Sequence, residues 1–377
     1  MSRAPGMKVR SIEDTAEQRP VDLTTMSAAQ PVTIGFAIPG DIMTPTGGYR
    51  YDRMVMEGLG EFGIKVVHVP LSPGYPAPDP ATRHATAALI RNTAVDLWLV
   101  DGLAFGAFGP VELAAFNRPV IALVHHALCD ETGLDPATAT ALLHSEKLAL
   151  ASTAAVIVTS PQTAARVCDL FGLETSRVHV AVPGVIAPVL PEKEPSRKLR
   201  LLCVGSVSPR KGYDLLVEAL APLKGQAWHL NIAGRLDDAD TTRDLRQQIE
   251  QAGLARSITL CGALGDEELA NLWTSHDALL FPSRYEGYGM VLTEALAHGL
   301  AVLCSDRVPA AEGLPAPAVM RLGVLDRQGW TSQIATWLET PERVRTARQA
   351  ARDTARTLPQ WRDTAALIAH IIQGITR

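Results

Sequence analysis

Glu286 and Glu294 stand with seven residues between them in the run Glu286-Gly287-Tyr288-Gly289-Met290-Val291-Leu292-Thr293-Glu294. An apolar run ends at Phe281 just before it, and a helical pattern continues from Met290 to a stop at Gly299. A strand, a glycine turn and a helix put Glu286 in the turn and Glu294 about one turn into the helix. The N–H groups of Gly289, Met290 and Val291 then open that helix and suit an anion. Carboxylates at these two places suit sugar hydroxyls. The plainer reading is one carboxylate favouring the helix dipole and one solvated helix glutamate.

A second group begins at Gly205, directly after the apolar run 199–204, and continues to Arg210-Lys211-Gly212. A glycine at a strand end lets backbone approach a ligand closely. Arg210 offers a planar fork and Lys211 a point charge, which together suit a diphosphate. Alone the pair carries little, because adjacent cations are usually solvated surface. His125 and His126 follow another apolar run, 120–124; a lone histidine is more often structural, but two beyond a strand end are candidates for a site. Asp238-Ala239-Asp240 has a metal-binding form, yet residues 234–237 separate it from the preceding strand. It reads better as a polar loop with a helix cap near Thr241 or Thr242. Tyr285, Tyr288 and His298 read as packing.

The elements that must position these residues are short apolar strands alternating with helical patterns. Strands are expected at 32–38, 65–69, 95–100, 120–124 and 155–158, with helices at 50–62, 81–93 and 138–152. A second series has strands at 199–204, 228–233, 257–260, 278–281 and 300–304, then a helical tail at 331–377. Such alternation means βαβ units and mostly parallel sheets covered on both faces. Between the series, 185–198 holds three prolines and mixed charge and reads as a linker. Two α/β halves joined this way place a ligand in the cleft between them.

Composition narrows the function. The chain has 377 residues, 47% of them hydrophobic and 20% charged, which is ordinary for a globular protein of two domains. Its net charge is -5, and the segment 32–180 carries 9 Lys/Arg against 14 Asp/Glu, so neither nucleic acid nor an anionic membrane is an expected partner. Cys129, Cys168, Cys203, Cys261 and Cys304 show no metal or redox spacing, and a reducing cytoplasm is expected. No apolar stretch reaches the roughly 18 residues of a transmembrane segment. Residues 1–30 lack the apolar centre of a secretory signal and read as a loose tail, with Met7 an alternative start.

In their order, these motifs resemble the retaining glycosyltransferases of family 4. The similarity runs from Gly205 and Arg210-Lys211-Gly212 through Ile232-Ala233-Gly234 and the segment 262–269 to 277–283 and the two glutamates. The first half matches more loosely, through Gly47-Gly48, His125-His126 and 182–185. The resemblance implies a GT-B fold, two Rossmann-like doubly wound domains facing across a cleft. With the linker, it divides the chain into a flexible tail (1–30), an acceptor-side domain (31–190), a nucleotide-sugar-binding domain (198–355) and a last helix crossing back (356–377). It implies transfer of a hexose-type sugar from a nucleotide-diphosphate sugar, as co-substrate, to a hydroxyl on a glycan, lipid or small molecule. Retention without a metal or other cofactor is part of the same implication.

By the same resemblance Arg210 and Lys211 bind the diphosphate, Glu294 the ribose and Glu286 the sugar. Gly48, Gly205, Gly234, Leu264 and the stretch Gly287, Tyr288, Gly289, Met290 and Val291 line the donor. His125 stands at the reacting side of the sugar, with His126 the acceptor-side alternative. A phosphorylase, an epimerase or a catalytically idle nucleotide-sugar-binding subunit would share the fold. A phosphorylase lacks a suitably placed lysine here, and an idle site has no chemical need of Arg210, Lys211, Glu286 and Glu294 together.

Overall fold

Runs such as Val120–Val124 are apolar at every position, so they suit only strands covered on both faces. In the computed structural model, which describes residues 32–186, 188 and 198–377, they are central strands of two parallel sheets. The first contains β1 (Val32–Pro39), β2 (Ile64–Leu71), β3 (Leu97–Asp101), β4 (Val120–Val124), β5 (Ala155–Val158) and β6 (Val178–Val180). The second contains β7 (Leu199–Val204), β8 (Trp228–Ala233), β9 (Ile258–Gly262), β10 (Ala278–Phe281), β11 (Ala301–Ser305) and β12 (Val319–Leu322). Their orders are β2-β1-β3-β4-β5-β6 and β12-β11-β10-β7-β8-β9. Each order reverses once, beside β1 and beside β7. Loops leaving the strand ends diverge there and make room for a ligand.

Alternate residues of each strand feed opposite faces. In the first sheet Phe36, Leu99, Ile121 and Ile157 pack one way, while Ala37, Val100, Ala122 and Val156 pack the other. The helix Gly47–Leu59 closes the Phe36 face with Tyr51, Val55 and Leu59. The last helix, Trp361–Thr376, adds Trp361, Ile368 and Ile372 to the same core. Gly58 lies so near this helix that a Cβ there would come within 2.7 Å of the Ala365 Cβ. Thr364 also donates to the Val182 carbonyl at 2.8 Å. The end of the chain is thus built into the first sheet's core.

Three expectations shift. The helical tail is three helices, Arg327–Glu339, Pro341–Ala355 and Trp361–Thr376, because prolines at 341 and 359 interrupt the pattern. The helix expected at 50–62 starts at Gly47, where Thr46 caps it by accepting from the Tyr49 N–H. The edge strands β6 and β12 carry His179 and Arg321, which interrupt any apolar run. The tail at 1–30 and most of the expected linker at 185–198 lie outside the described residues, although Val185 donates to the Pro359 carbonyl at 2.9 Å. No described helix is long and apolar enough to cross a membrane.

The helix Pro136–Ala151 buries Glu146 completely. Its Oε2 accepts the Leu128 N–H at 2.9 Å and so braces the loop that follows β4. Oε1 is buried without a partner, and burial pushes the carboxyl up to about 8. The sign follows directly: the folded protein holds this proton more tightly than the unfolded chain. Stability is therefore fullest below about 4.3, the carboxyl's unfolded pKa, and falls as pH rises through 8. Glu146→Gln should remove that loss, so its melting temperature should exceed the parent's at pH 8 and match it near pH 5. Thermal scans across this range check it; parallel curves would contradict it.

Candidate functional site

At the reversal point of the second sheet, the loops after β7 and β10 are stapled together. The Arg284 N–H donates to the Arg210 carbonyl at 2.8 Å, and the Arg210 guanidinium donates to the Tyr285 carbonyl at 3.0 Å. This brings Arg210 and Lys211 onto Glu286, at 3.2 Å and 2.6 Å. Lys211 is buried and also lies 5.1 Å from the Phe281 ring centre. Burial alone would raise the Glu286 carboxyl, yet Lys211 and Arg210 outweigh it and hold it below the usual range. Lys211 moves down as well, because burial and the neighbouring Arg210 outweigh the attraction of Glu286 and Glu131. Of those two carboxylates only Glu286 is enclosed with the cations; Glu131 is 44% exposed and shared with His126, so inside the recess two cations share one anion. Gly205 and Gly234 form its floor: a Cβ on Gly234 would fall 2.0 Å from the Gly205 carbonyl oxygen.

The helix Met290–Ala297 starts at Gly289, whose φ of +100° suits glycine. Glu294 lies on this helix, and Arg50, from the helix Gly47–Leu59, meets its Oε1 at 2.8 Å. Burial raises the Glu294 carboxyl and Arg50 partly offsets this. The glycine turn is pressed against the first sheet's loops. Ser160 and Thr163 both donate to the Gly287 carbonyl, at 2.7 Å and 3.0 Å. A Cβ on Gly287 would sit 2.1 Å from the His125 carbonyl oxygen, so only glycine fits. Met290 packs into the first sheet's core, whereas Val291 and Tyr288 pack with their own domain.

His125 follows β4. Its Nε2 lies 3.2 Å from Asp52 Oδ1 and 3.4 Å from Asp101 Oδ2. Both carboxylates are buried. Gly48 leaves room for the ring: a Cβ there would stand 3.2 Å from His125 Cδ2. His126 turns elsewhere, with Nε2 3.1 Å from Glu131 Oε2. Glu131, held down at about 2 chiefly by His126, faces Arg210 across the cleft at 3.8 Å.

The structure therefore gathers Gly48, His125, His126, Arg210, Lys211, Glu286 to Val291 and Glu294 along one seam. Leu264 is half-buried in the turn before the helix Asp266–Ser275. The residues that sequence reading missed are Arg50, Asp52, Asp101, Glu131, Ser160 and Thr163. A carboxylate closing the all-buried strand β3 was a usable signal for Asp101. So was an aspartate beside the apolar stripe Tyr51, Val55 and Leu59 for Asp52. The cap expected at Thr241 or Thr242 is instead Asp238, which accepts from the Thr241 N–H, and Asp240 pairs with Arg243. An aspartate oxygen reaches forward to the first turn's N–H groups, so the first carboxylate of the motif starts the helix.

Two family models match the chain: glycosyltransferase family 4 over residues 41–187 and glycosyl transferases group 1 over 191–354. Among curated relatives, the MMP alpha-(1->4)-mannosyltransferase of Mycolicibacterium hassiacum is 23% identical over 308 residues, 78% of this chain and 74% of that protein. Mannosylfructose-phosphate synthase of Agrobacterium fabrum is 28% identical over 162 residues, so the match spans 38% of this chain and only 36% of that relative. Among solved structures, sucrose-phosphate synthase from Thermosynechococcus elongatus superposes with a TM-score of 0.78 at 20% identity, covering 91% of this chain and 98% of that one. Anabaena HepE, in complex with UDP and glucose, gives 0.74 at 17% identity, covering 91% and 99%. Two matched models that follow one another along most of the sequence, on two Rossmann-like domains, agree with the site: this chain belongs to the family 4-like glycosyltransferases of GT-B fold.

Proposed function

We propose that this glycosyltransferase moves a hexose-type sugar from a nucleotide-diphosphate sugar to a hydroxyl acceptor, with retention at the anomeric carbon and without a metal. The convergence of Arg210 and Lys211 on a single buried carboxylate carries this reading. A diphosphate supplies the negative charge that cluster lacks, and the helix N-terminus at Met290 faces the same seam. HepE, a structural neighbour, was solved with UDP and glucose, and a relative is named as a mannosyltransferase, which supports a hexose as the transferred sugar.

As the sugar–phosphate bond breaks, charge grows on the departing phosphate while the sugar becomes oxocarbenium-like. Preorganised cations and N–H groups aimed at that phosphate provide the stabilisation. Asp238 and Asp240 serve a helix start, so the motif that suggested a metal has another use. The carboxylates along the seam are engaged, Glu286 by Arg210 and Lys211, Glu294 by Arg50, and Asp52 and Asp101 by His125. Front-face attack, with the donor phosphate helping to take the acceptor proton, fits that set. Ribose binding at Glu294 exchanges the Arg50 ion pair for hydroxyl contacts. The acceptor is a glycan, lipid or small molecule, and the cytoplasmic setting expected from the cysteines belongs to the same proposal.

Lys211→Ala should weaken binding of nucleotide sugar by roughly tenfold to a hundredfold, the cost of a charge-assisted contact of about 1.5–3 kcal/mol. Calorimetry against a panel of nucleotide sugars measures it, with thermal unfolding on the same samples; unchanged affinity in a folded variant would refute the phosphate role.

The glutamates should separate. Glu294→Ala should weaken every nucleotide, including the free diphosphate. Glu286→Ala should not weaken free nucleotide binding, since it releases Arg210 and Lys211 for the phosphates, yet should lower turnover, because its sugar contact strengthens in the transition state. Loss of free-nucleotide affinity in Glu286→Ala, or parental turnover, would contradict the assignment.

A further inference from the structure

A fully buried carboxylate needs a partner that justifies its desolvation. Asp52 is 0% exposed on the apolar face of its helix, between Tyr51 and Val55. The partner available to its Oδ1 is His125 Nε2, at 3.2 Å. Asp101 approaches the same nitrogen at 3.4 Å, and its other oxygen is fixed by accepting the Leu103 N–H at 2.9 Å. One ring nitrogen thus faces two buried carboxylates. The other, Nδ1, makes no hydrogen bond among the described residues.

We infer that Asp52 is a positioning residue which, with Asp101, keeps His125 doubly protonated, so that the ring serves as a fixed Nδ1–H donor to the bound sugar and not as a base. This rests on the proposed sugar contact of His125. The ring is packed on two sides. Gly48 and the edge of Tyr51, 5.3 Å from centre to centre, flank it, and Thr159 and the Gly287 turn hold its backbone carbonyl.

Other ionisable groups nearby do not change the sign. Tyr49 is committed to the Pro39 carbonyl at 2.7 Å, and burial together with the Asp101 and Asp52 charges holds its hydroxyl in the neutral form. Tyr51 is likewise kept neutral by burial and donates to the Ala181 carbonyl at 2.8 Å. Glu286, beside Gly287, is matched by Arg210 and Lys211. Burial alone would lower the imidazolium, but Asp101 and Asp52 outweigh it and hold it up at about 10. Burial and the Asp101 charge push Asp52 itself up to about 7, so Asp52 is an anion on the alkaline side, where the histidine would otherwise lose its proton.

Nitrogen-15 NMR of the His125 ring in the full-length protein, read from pH 5 to 10, tests the clamp directly. Both ring nitrogens should stay protonated beyond about pH 8.5, well above an ordinary histidine. Asp52→Asn should lower the His125 midpoint by about 1–3 pH units. In Asp52→Asn turnover should fall with rising pH along the shifted His125 midpoint, at a lower pH than any alkaline fall in the parent. A neutral His125 at pH 7.5 in the parent, or an unmoved midpoint in Asp52→Asn, would overturn the inference. The parental titration decides even if the variant is unstable. Parental turnover by His125→Ala would instead remove the sugar contact from the proposed function and leave the clamp to stand on the NMR titration.

Discussion

Lys211, Arg210 and Glu286 bring two positive charges and one negative into a space with little water. Buried charge is tolerated only when it is paired, and here the pairing is incomplete. The surrounding architecture keeps it so. The reversal of strand order beside β7 separates the loops, and the hydrogen bonds between Arg284, Arg210 and Tyr285 lock them at a fixed spacing. Tyr213 buttresses the floor by donating to the Gly205 carbonyl at 2.9 Å. A rigid, electron-poor recess follows from these constraints, and it fits an incoming polyanion better than any internal group.

The second domain does not act alone. Its glycine turn is clasped by Ser160 and Thr163 from the first domain, and Glu294 is held by Arg50. Glu131 reaches Arg210 from the same side. Each cross-domain contact uses a group assigned to the donor in the proposed function; under that proposal, domain approach and donor binding share atoms, a physical route for closure to exclude water at the reacting bond. The last helix, sealed into the first core by Trp361, Ile368 and Ile372, ties the chain end to this arrangement.

Much of this was legible in the sequence because it depends on local pattern. Apolar runs gave the central strands, and Gly205, Gly287 and Gly289 marked the turns where only glycine fits. The linear motif around Glu286 and Glu294 marked the turn and helix that meet the first domain's loops. What was hidden depends on pairing between distant segments: Lys211 and Glu286 are 75 residues apart, and Asp52 and His125 are 73 apart. A single sequence shows Arg50 and Glu131 as ordinary surface charges, since nothing local distinguishes a solvated arginine from one facing another domain. The helix cap was misplaced by three residues for a related reason. Asp238 and Thr241 both suit the role, and only backbone geometry chooses between them.

A crystal structure of the chain with a bound nucleoside diphosphate decides whether the recess around Lys211 is the diphosphate site. Phosphate oxygens should lie on Lys211, Arg210 and the N–H groups of Gly289 to Val291, with the ribose on Glu294 and Arg50 released from it. A diphosphate bound elsewhere, with the Arg50–Glu294 pair intact and no anion on Lys211, would rule that site out.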